Sequence, residues 1–226
     1  SFFDKLTQGD GDEEDEELDD QIGAMKDLES VLALMSKSIP AVSPRRRDLR
    51  WHYRSRHDGL IATSNRLFYD DKLVVFPSPW RAGVGAGLIL RHDPTTVYGR
   101  GGTRKNPAEA RAVALAVHQH ILKSPNLTIG VAAFSKAQKE AIQDELYLLQ
   151  QSDPAFASFD AAHPYEPLVV KNLENIQGDE RDVIFISVGY GRDEHNFISA
   201  SFGPLNRDGG ERRLNVLITR ARVRCE

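Results

Sequence analysis

Residues 183–188 read Val-Ile-Phe-Ile-Ser-Val and are among the longest apolar runs in the 226-residue chain. A nearly continuous apolar run is typical of a strand that is buried on both faces of a parallel sheet. Shorter apolar runs that are rich in β-formers lie at 73–76, 87–91, 128–133 and 168–170. These runs predict the strands of one sheet.

Segments with helical spacing of apolar residues separate most of these runs. They cover 24–36, 60–68, 107–122 and 136–150. Pro107, directly after Asn106, is a favourable first residue for the third helix. Strands that alternate with helices of this length predict an α/β fold, with a doubly wound, mainly parallel β-sheet flanked by helices.

The charge of the chain is unevenly distributed. Residues 10–20 hold nine acidic side chains, so that a chain of net charge −4 carries +5 outside this run. A mildly basic body suits a polyanionic partner, although surface charge alone would give the same number. We interpret 1–23 as a linker with a disordered acidic loop and 24–226 as one domain; an electrostatic decoy or a partner-binding tail is the alternative for the acidic run.

Several classes of protein are disfavoured by the sequence. The apolar runs are far shorter than the ~20 residues that a bilayer span needs, and no secretory signal opens the chain. The single cysteine, Cys225, cannot form an internal disulfide, which favours a reducing compartment. We therefore expect a cytoplasmic protein without a membrane partner. Both ends of the sequence are abrupt, which suggests a piece of a longer chain.

A first candidate site lies at residues 49–57, which read Leu-Arg-Trp-His-Tyr-Arg-Ser-Arg-His. Guanidinium groups can bind phosphate, and the neighbouring rings can stack on a base. The alternative is an exposed basic turn with one buried tryptophan. The composition alone does not decide between the two.

A second candidate site lies at residues 175–182, which read Asn-Ile-Gln-Gly-Asp-Glu-Arg-Asp and directly precede the buried strand. Polar turns beside central strands are where α/β folds place ligands. Gly178 would let the backbone approach a ligand closely, and Glu180 supplies a carboxylate. Polar loops before strands are nevertheless common.

The third candidate site is the segment 209–222, Gly-Gly-Glu-Arg-Arg-Leu-Asn-Val-Leu-Ile-Thr-Arg-Ala-Arg. It is expected to be helical, with Leu214, Leu217 and Ile218 toward a core. An arginine at the end of such a helix can reach a γ-phosphate and stabilise charge in phosphoryl transfer. The alternative is a cationic amphipathic helix with solvated arginines.

The order of these three segments resembles motifs IV, V and VI of superfamily 1 helicases of the Upf-like branch, in a bacterial subgroup. Residues 128–138, the phrase Asn106-x-x-Glu109-Ala110 and the phrase 68–73 also resemble that family. The resemblance implies the second RecA-like motor domain of an ATP-dependent helicase. The first RecA-like half, absent from this sequence, would hold most of the ATP and the Mg²⁺, and we expect no metal ligands in this chain.

The resemblance also implies roles for individual residues. Arg54 and Arg220 would act as catalytic arginine fingers on the γ-phosphate. Tyr53 would stack near the adenine, with Trp51 as a competing candidate. The expected nucleotide-binding residues are Tyr53, Gln177, Gly178, Glu180 and Arg213, and Arg213 and Asn215 would have structural or coupling roles. The expected contacts to single-stranded nucleic acid, with DNA favoured over RNA, are Asn172, His52 and Ser135.

The sequence departs from the family in ways that leave other functions open. Ala133-Phe134-Ser135 lacks one expected hydroxyl, Asn172 replaces a serine or threonine, and the chain has no G-x-x-x-x-G-K-[ST] phosphate loop. We therefore expect no ATP hydrolysis by this chain alone. Branch membership implies 5′-to-3′ translocation. The rival interpretations are an ATP-independent nucleic-acid-binding module and a Rossmann-like enzyme, and the missing G-x-G-x-x-G disfavours the second.

Overall fold

The structure is a computed structural model that describes residues 39, 47, 49–79, 85–173, 175–176, 178–206 and 209–226. The chain divides into two compact units, 1–49 and Arg50–Glu226. The expected helix at 24–36 and the acidic loop lie outside the described residues. Among the described helices, none is both long and apolar enough to cross a membrane.

The described part of the second unit contains one five-stranded sheet. Its strands are β1 Gly87–Leu88, β2 Ile129–Ala133, β3 Val169–Asn172, β4 Arg181–Ser187 and β5 Ala221–Cys225. Their order across the sheet is β1-β5-β4-β2-β3, and all neighbouring strands are parallel. The predicted central strand is confirmed as β4, in which six of seven residues are buried.

Helices cover both faces of this sheet. In chain order they are α1 Gly59–Phe68, α2 Pro107–Lys123, α3 Lys136–Ser152, α4 Ala155–Ala162 and α5 Gly210–Ile218, with a 3₁₀ turn at Gly203–Asn206. On one face, Val131, Val183 and Phe185 pack in a core with residues of α2, α3 and α4. On the other face, Ile184 and Ala221 pack with Leu60 of α1 and Leu217 of α5. Two cores on opposite faces confirm the doubly wound layer.

Local signals explain where two of the helices begin. The Asn106 side chain caps α2 by accepting a hydrogen bond from the Glu109 backbone N–H, with Pro107 as the first helical residue. Ser135 caps α3 in the same way, through the Gln138 N–H. Such caps satisfy N–H groups that have no partner within the helix.

Some expected elements differ from those observed. Residues 73–76 do not form a strand, because Val74 makes only an isolated bridge to Trp51. The expected strand at 87–91 is shorter, since β1 ends at Leu88. The predicted helix over 209–222 ends at Ile218, so Arg222 lies on β5 rather than on a helix. The short helix α4 was not predicted.

Candidate nucleotide and nucleic-acid interfaces

Arg54, Glu180 and Arg220 lie together at the amino-terminal edge of the sheet. Glu180 directly precedes β4 and Arg220 directly precedes β5. The Arg54 Nε donates a hydrogen bond to Glu180 Oε2 at 2.7 Å, and its Nη1 donates to the Thr219 carbonyl at 3.3 Å. We call these three residues the arginine cluster. Arg54 and Arg220, the two predicted catalytic residues, thus lie next to Glu180, a predicted nucleotide-binding residue.

The electrostatics of the arginine cluster favour an anion. Burial lowers the pKa of the Arg220 guanidinium, and the positive charge of Arg54 lowers it further, while Glu180 opposes the effect. The Arg220 Nε donates to the Val216 carbonyl at 2.9 Å, which holds the side chain against the end of α5. Although Glu180 and Asp179 oppose the effect, the two guanidinium groups thus repel each other. An anion between them would relieve their repulsion through charge-assisted hydrogen bonds.

Arg222 organises a network of its own beside this cluster. Its Nε donates to Asp182 Oδ1 at 2.9 Å, its Nη1 to Glu166 Oε1 at 2.9 Å and its Nη2 to Thr128 Oγ1 at 3.0 Å. Its Nη1 also lies 3.5 Å from Glu180 Oε1. These bonds raise the pKa of Arg222, and the bond from Arg222 is the main cause of the lowered pKa of Glu166. We call this group the Arg222 network.

Sequence analysis assigned no role to Arg222, although this residue lies within the third candidate segment, 209–222. Its partners come from segments that are far apart in the chain and meet only where β2, β3, β4 and β5 begin. The alternative interpretation of this segment, solvated arginines, is right for Arg212 and wrong for Arg222, whose side chains are 85% and 18% exposed.

The aromatic residues of segment 49–57 lie on the surface near Arg54. Tyr53 is 82% and Trp51 66% exposed, so the alternative of a buried tryptophan is wrong. The Trp51 ring contacts the Phe76 ring edge-on, with centroids 5.6 Å apart. A cavity of about 170 Å³ is lined by Trp51, His52, Tyr53, Ser55, Asp58, Ile61, Val75 and Phe76. Both candidate stacking residues therefore border one open cavity.

Segment 175–182 is described in part. Gly178 has φ +94°, a left-handed conformation that favours glycine. Apart from its chain neighbours, no described residue has an atom within 4 Å of where a side chain would begin. The backbone here is thus open to approach. Gln177, a predicted nucleotide contact, lies outside the described residues.

Arg213 and Asn215 lie on α5 and are half-buried. Arg213 Nη1 and Asn215 Oδ1 are buried, and neither has a hydrogen-bond partner among the residues that the structure describes. Asn215 Nδ2 lies 3.4 Å from the Tyr69 hydroxyl. Neither side chain is fully satisfied within the described part of the domain.

Two of the three predicted nucleic-acid contacts lie at the opposite, carboxyl-terminal edge of the sheet. Asn172 ends β3 in register with Ala133, and Ser135 follows β2 two residues later. Within the described residues, the buried Asn172 Oδ1 has no hydrogen-bond partner. His52 is not brought to this edge, because its Nε2 is 2.8 Å from the Oγ of Ser55, next to the arginine cluster. Burial and the charge of Arg54 lower the pKa of His52.

A buried polar network supports the carboxyl-terminal edge. Gln138 Oε1 accepts from the Asn106 N–H at 2.7 Å, and its Nε2 lies 3.1 Å from Ser187 Oγ. Glu109 Oε1 accepts from the Ser187 hydroxyl at 2.7 Å and from the Gly189 N–H at 2.9 Å. The starts of α2 and α3 are thereby tied to the end of β4. In the sequence, this network was signalled only by the Gln138 amide and the Glu109 carboxylate, each near the start of a predicted helix.

Comparison with known proteins assigns the chain to a family. The sequence signature of a family described as AAA domain matches residues 90–225. This range contains Glu180 and Arg220 but not Arg54. A protein of Mycoplasma genitalium named as an uncharacterized ATP-dependent helicase is 35% identical over 234 aligned residues, which cover 100% of this chain and 19% of that protein.

A second relative, the homologue of that helicase in Mycoplasma pneumoniae, is 36% identical over 183 residues. The alignment covers 79% of this chain and 15% of that protein. The chain therefore spans less than a fifth of the length of these two relatives.

Proposed function

The chain belongs to the AAA domain family, and we propose that it is the second motor domain of an ATP-dependent nucleic-acid helicase or translocase. The observation that carries the proposal is the convergence of Arg54 and Arg220, 166 positions apart in the chain, around Glu180. The names of the two helicase relatives support it. In this proposal residues 24–226 form the motor domain, 1–23 are a linker, and the protein is cytoplasmic.

In this function Arg54 and Arg220 bind the γ-phosphate of ATP held by another RecA-like half of the same protein. The fit is chemical, since two guanidinium groups offer donors to a phosphate in the planar geometry that it accepts. Mg²⁺, held by the other half, would neutralise charge on the phosphates. Tyr53 or Trp51 would stack on the base, and the open backbone at Gly178 would border the nucleotide.

The Glu180 carboxylate has two cationic neighbours, Arg54 and Arg222. If Arg54 leaves Glu180 Oε2 for a phosphate, Glu180 keeps Arg222, 3.5 Å away, as a cationic neighbour. The carboxylate is therefore not left without a partner. The two halves would close when ATP is present, because only then do both arginines gain an anion.

The nucleic acid would bind at the other edge of the sheet. Ser135 and Asn172 lie at the carboxyl ends of β2 and β3, the edge where open α/β sheets bind ligands. The unpaired Asn172 Oδ1 is an acceptor, so it would take a donor of the strand, such as a base amino group. His52, which contacts Ser55 near the arginine cluster, is no longer proposed as a contact to the strand.

The test uses the full-length protein with single-stranded DNA or RNA and measures steady-state ATP hydrolysis. Arg54→Ala and Arg220→Ala should each lower kcat by about 10³- to 10⁵-fold, the range for arginine fingers. Lysine at either position should rescue poorly, because it lacks the planar fork. Arg66→Ala, on the exposed side of α1, is the matched control and should leave kcat unchanged.

Two results would contradict the proposal. Normal hydrolysis in Arg220→Ala together with lost strand binding would make this segment a nucleic-acid contact. Hydrolysis that is absent from the wild-type full-length protein, with strand binding intact, would favour the ATP-independent binding module.

A further inference from the structure

Two exposed loops lie side by side at the carboxyl-terminal edge of the sheet. Loop 98–105 directly precedes the cap of α2, and loop 190–198 follows β4. The Tyr98 N–H donates to the Arg192 carbonyl at 2.8 Å, and the Tyr98 and Tyr190 rings meet edge-on at 5.4 Å. Arg100 Nε is 3.6 Å from Asp193 Oδ2. We call the joined loops the platform.

We propose that the platform binds single-stranded nucleic acid by stacking an unpaired base on Phe197 while the basic side chains of loop 98–105 contact its phosphates. The proposal rests on the proposed function and adds a contact beyond Ser135 and Asn172. Neither loop contains a residue to which the proposed function assigns a role. The two loops therefore need an explanation of their own.

Both loops are held in one shape by local hydrogen bonds. In loop 98–105, the Gly99 N–H donates to the Lys105 carbonyl and the Arg104 N–H donates to the Gly99 carbonyl, each at 2.8 Å. In loop 190–198, Asp193 Oδ1 accepts from the N–H groups of His195 and Phe197 at 3.0 and 2.9 Å. Arg192 and Ile198 form an antiparallel bridge. A surface that is shaped in advance loses less conformational entropy on binding.

The chemistry of the platform matches that of single-strand-binding surfaces. Phe197 is 59% exposed, and the Arg100 guanidinium lies over its ring at 5.0 Å from the centroid. Loop 98–105 contains three cationic residues and no acidic one, and the platform as a whole carries a net charge of +2. Exposed aromatic rings beside basic groups bind unpaired bases and their backbone with little dependence on sequence. In a duplex the base faces are already stacked on each other, so we expect the platform to bind a duplex more weakly than a single strand.

The platform is continuous with the expected path of the strand. Asn106, the residue after loop 98–105, is hydrogen-bonded to Gln138, and the Gln138 N–H bonds the Ser135 hydroxyl oxygen that caps α3. A strand that contacts Ser135 therefore meets the platform as neighbouring surface on the same edge.

The test measures binding of a fluorescently labelled oligothymidine to this chain by anisotropy. Phe197→Ala should weaken binding about fivefold or more, as expected for one stacked base, whereas Phe197→Trp should retain it. Tyr165→Ala removes a ring that is 96% exposed near the start of β3, at the far edge of the sheet, and should have no effect. Circular dichroism of each variant checks that the fold is kept.

Salt dependence tests the basic side chains separately. Arg104→Asn and Lys105→Gln should each flatten the log–log salt slope by about 0.7, the value for one phosphate contact on a single strand. Asparagine is chosen because Arg104 has φ +53°, which asparagine tolerates. Lys123→Gln, at the far end of α2, is the charge-matched control and should leave the slope unchanged.

The proposal is overturned if Phe197→Ala binds oligothymidine like the wild type, or if it weakens a duplex of the same length equally. It is also overturned if the wild-type chain binds no single strand at low salt. None of these results bears on hydrolysis in Arg54→Ala and Arg220→Ala, so the proposed function is tested independently.

Discussion

Removing the Arg222 side chain should destabilise the domain far more than removing other arginines of the same segment. The Arg222 side chain is 18% exposed and bonds Asp182, Glu166 and Thr128. The side chains of Asp182 and Glu166 are 11% and 31% exposed. Breaking a buried ion pair by removing one partner costs about 3–5 kcal/mol. Because Glu166 is partly exposed, we expect the lower end, about 3 kcal/mol, for Arg222→Ala.

Urea unfolding of this chain, followed by circular dichroism, measures that loss. Arg212→Ala is the control, since its side chain is 85% exposed and lies 3.9 Å from Glu211. It should change the free energy of unfolding by no more than about 0.5 kcal/mol. A loss below about 1 kcal/mol for Arg222→Ala would show that water replaces the network at little cost, and the reasoning would be refuted.

The same variant predicts a change in acid stability. Arg222 lowers the pKa of Glu166 below its ordinary value of 4.5, so the folded state binds this proton less readily than the unfolded state. The stabilisation is present above pH 4.5 and is lost as the pH falls through the lower folded pKa. The difference in stability between the wild type and Arg222→Ala should therefore shrink as the pH falls below about 4.

Three further predictions follow from other parts of the chain. Gly178→Ala should lower the free energy of unfolding by about 1 kcal/mol, because alanine is strained at φ +94°; an unchanged urea midpoint would mean that this backbone relaxes freely. The chain alone should not hydrolyse Mg-ATP, since it has no phosphate loop; turnover that disappears in Arg220→Ala would refute this, whereas turnover that persists would indicate contamination. Deleting the acidic run 10–20 should tighten binding of an oligothymidine if the run competes for a basic face, and unchanged affinity would exclude the decoy role.

Much of the fold could be predicted because its signals are local. The run at 183–188 predicts β4, and the Asn106-Pro107 pair predicts the start of α2. The run at 73–76 misled, since strand formation needs a neighbouring strand and, within the described residues, Val74 makes an isolated bridge to Trp51. Helix α4 was missed because it has only eight residues, although Asp153 and Pro154 mark its start and Asp153 Oδ1 accepts from the Ala155 N–H at 2.8 Å.

The residues of the candidate site that belong to recognisable motifs could be predicted from the sequence, whereas contacts between separate segments could not. Arg54, Glu180 and Arg220 were expected on one nucleotide site, and they lie together. The Arg222 network escaped notice because its carboxylates come from separate segments, and their meeting depends on the strand order. His52 was assigned to the nucleic-acid path, but its side chain lies near the arginine cluster. Spacing in a motif does not show which edge of the sheet a side chain reaches, and adjacent residues need not face the same ligand.

The placement of the two candidate interfaces at opposite ends of the same strands limits how they can influence each other. β4 has seven residues, and at about 3.3 Å per residue its ends are about 20 Å apart. In physiological salt, exposed charges are largely screened beyond about 8 Å. Ions in the solvent therefore largely screen the exposed charges of one edge from those of the other. A signal between them has to be a displacement, and the close-packed residues of β4, six of seven of which are buried, make that strand a stiff element able to transmit one.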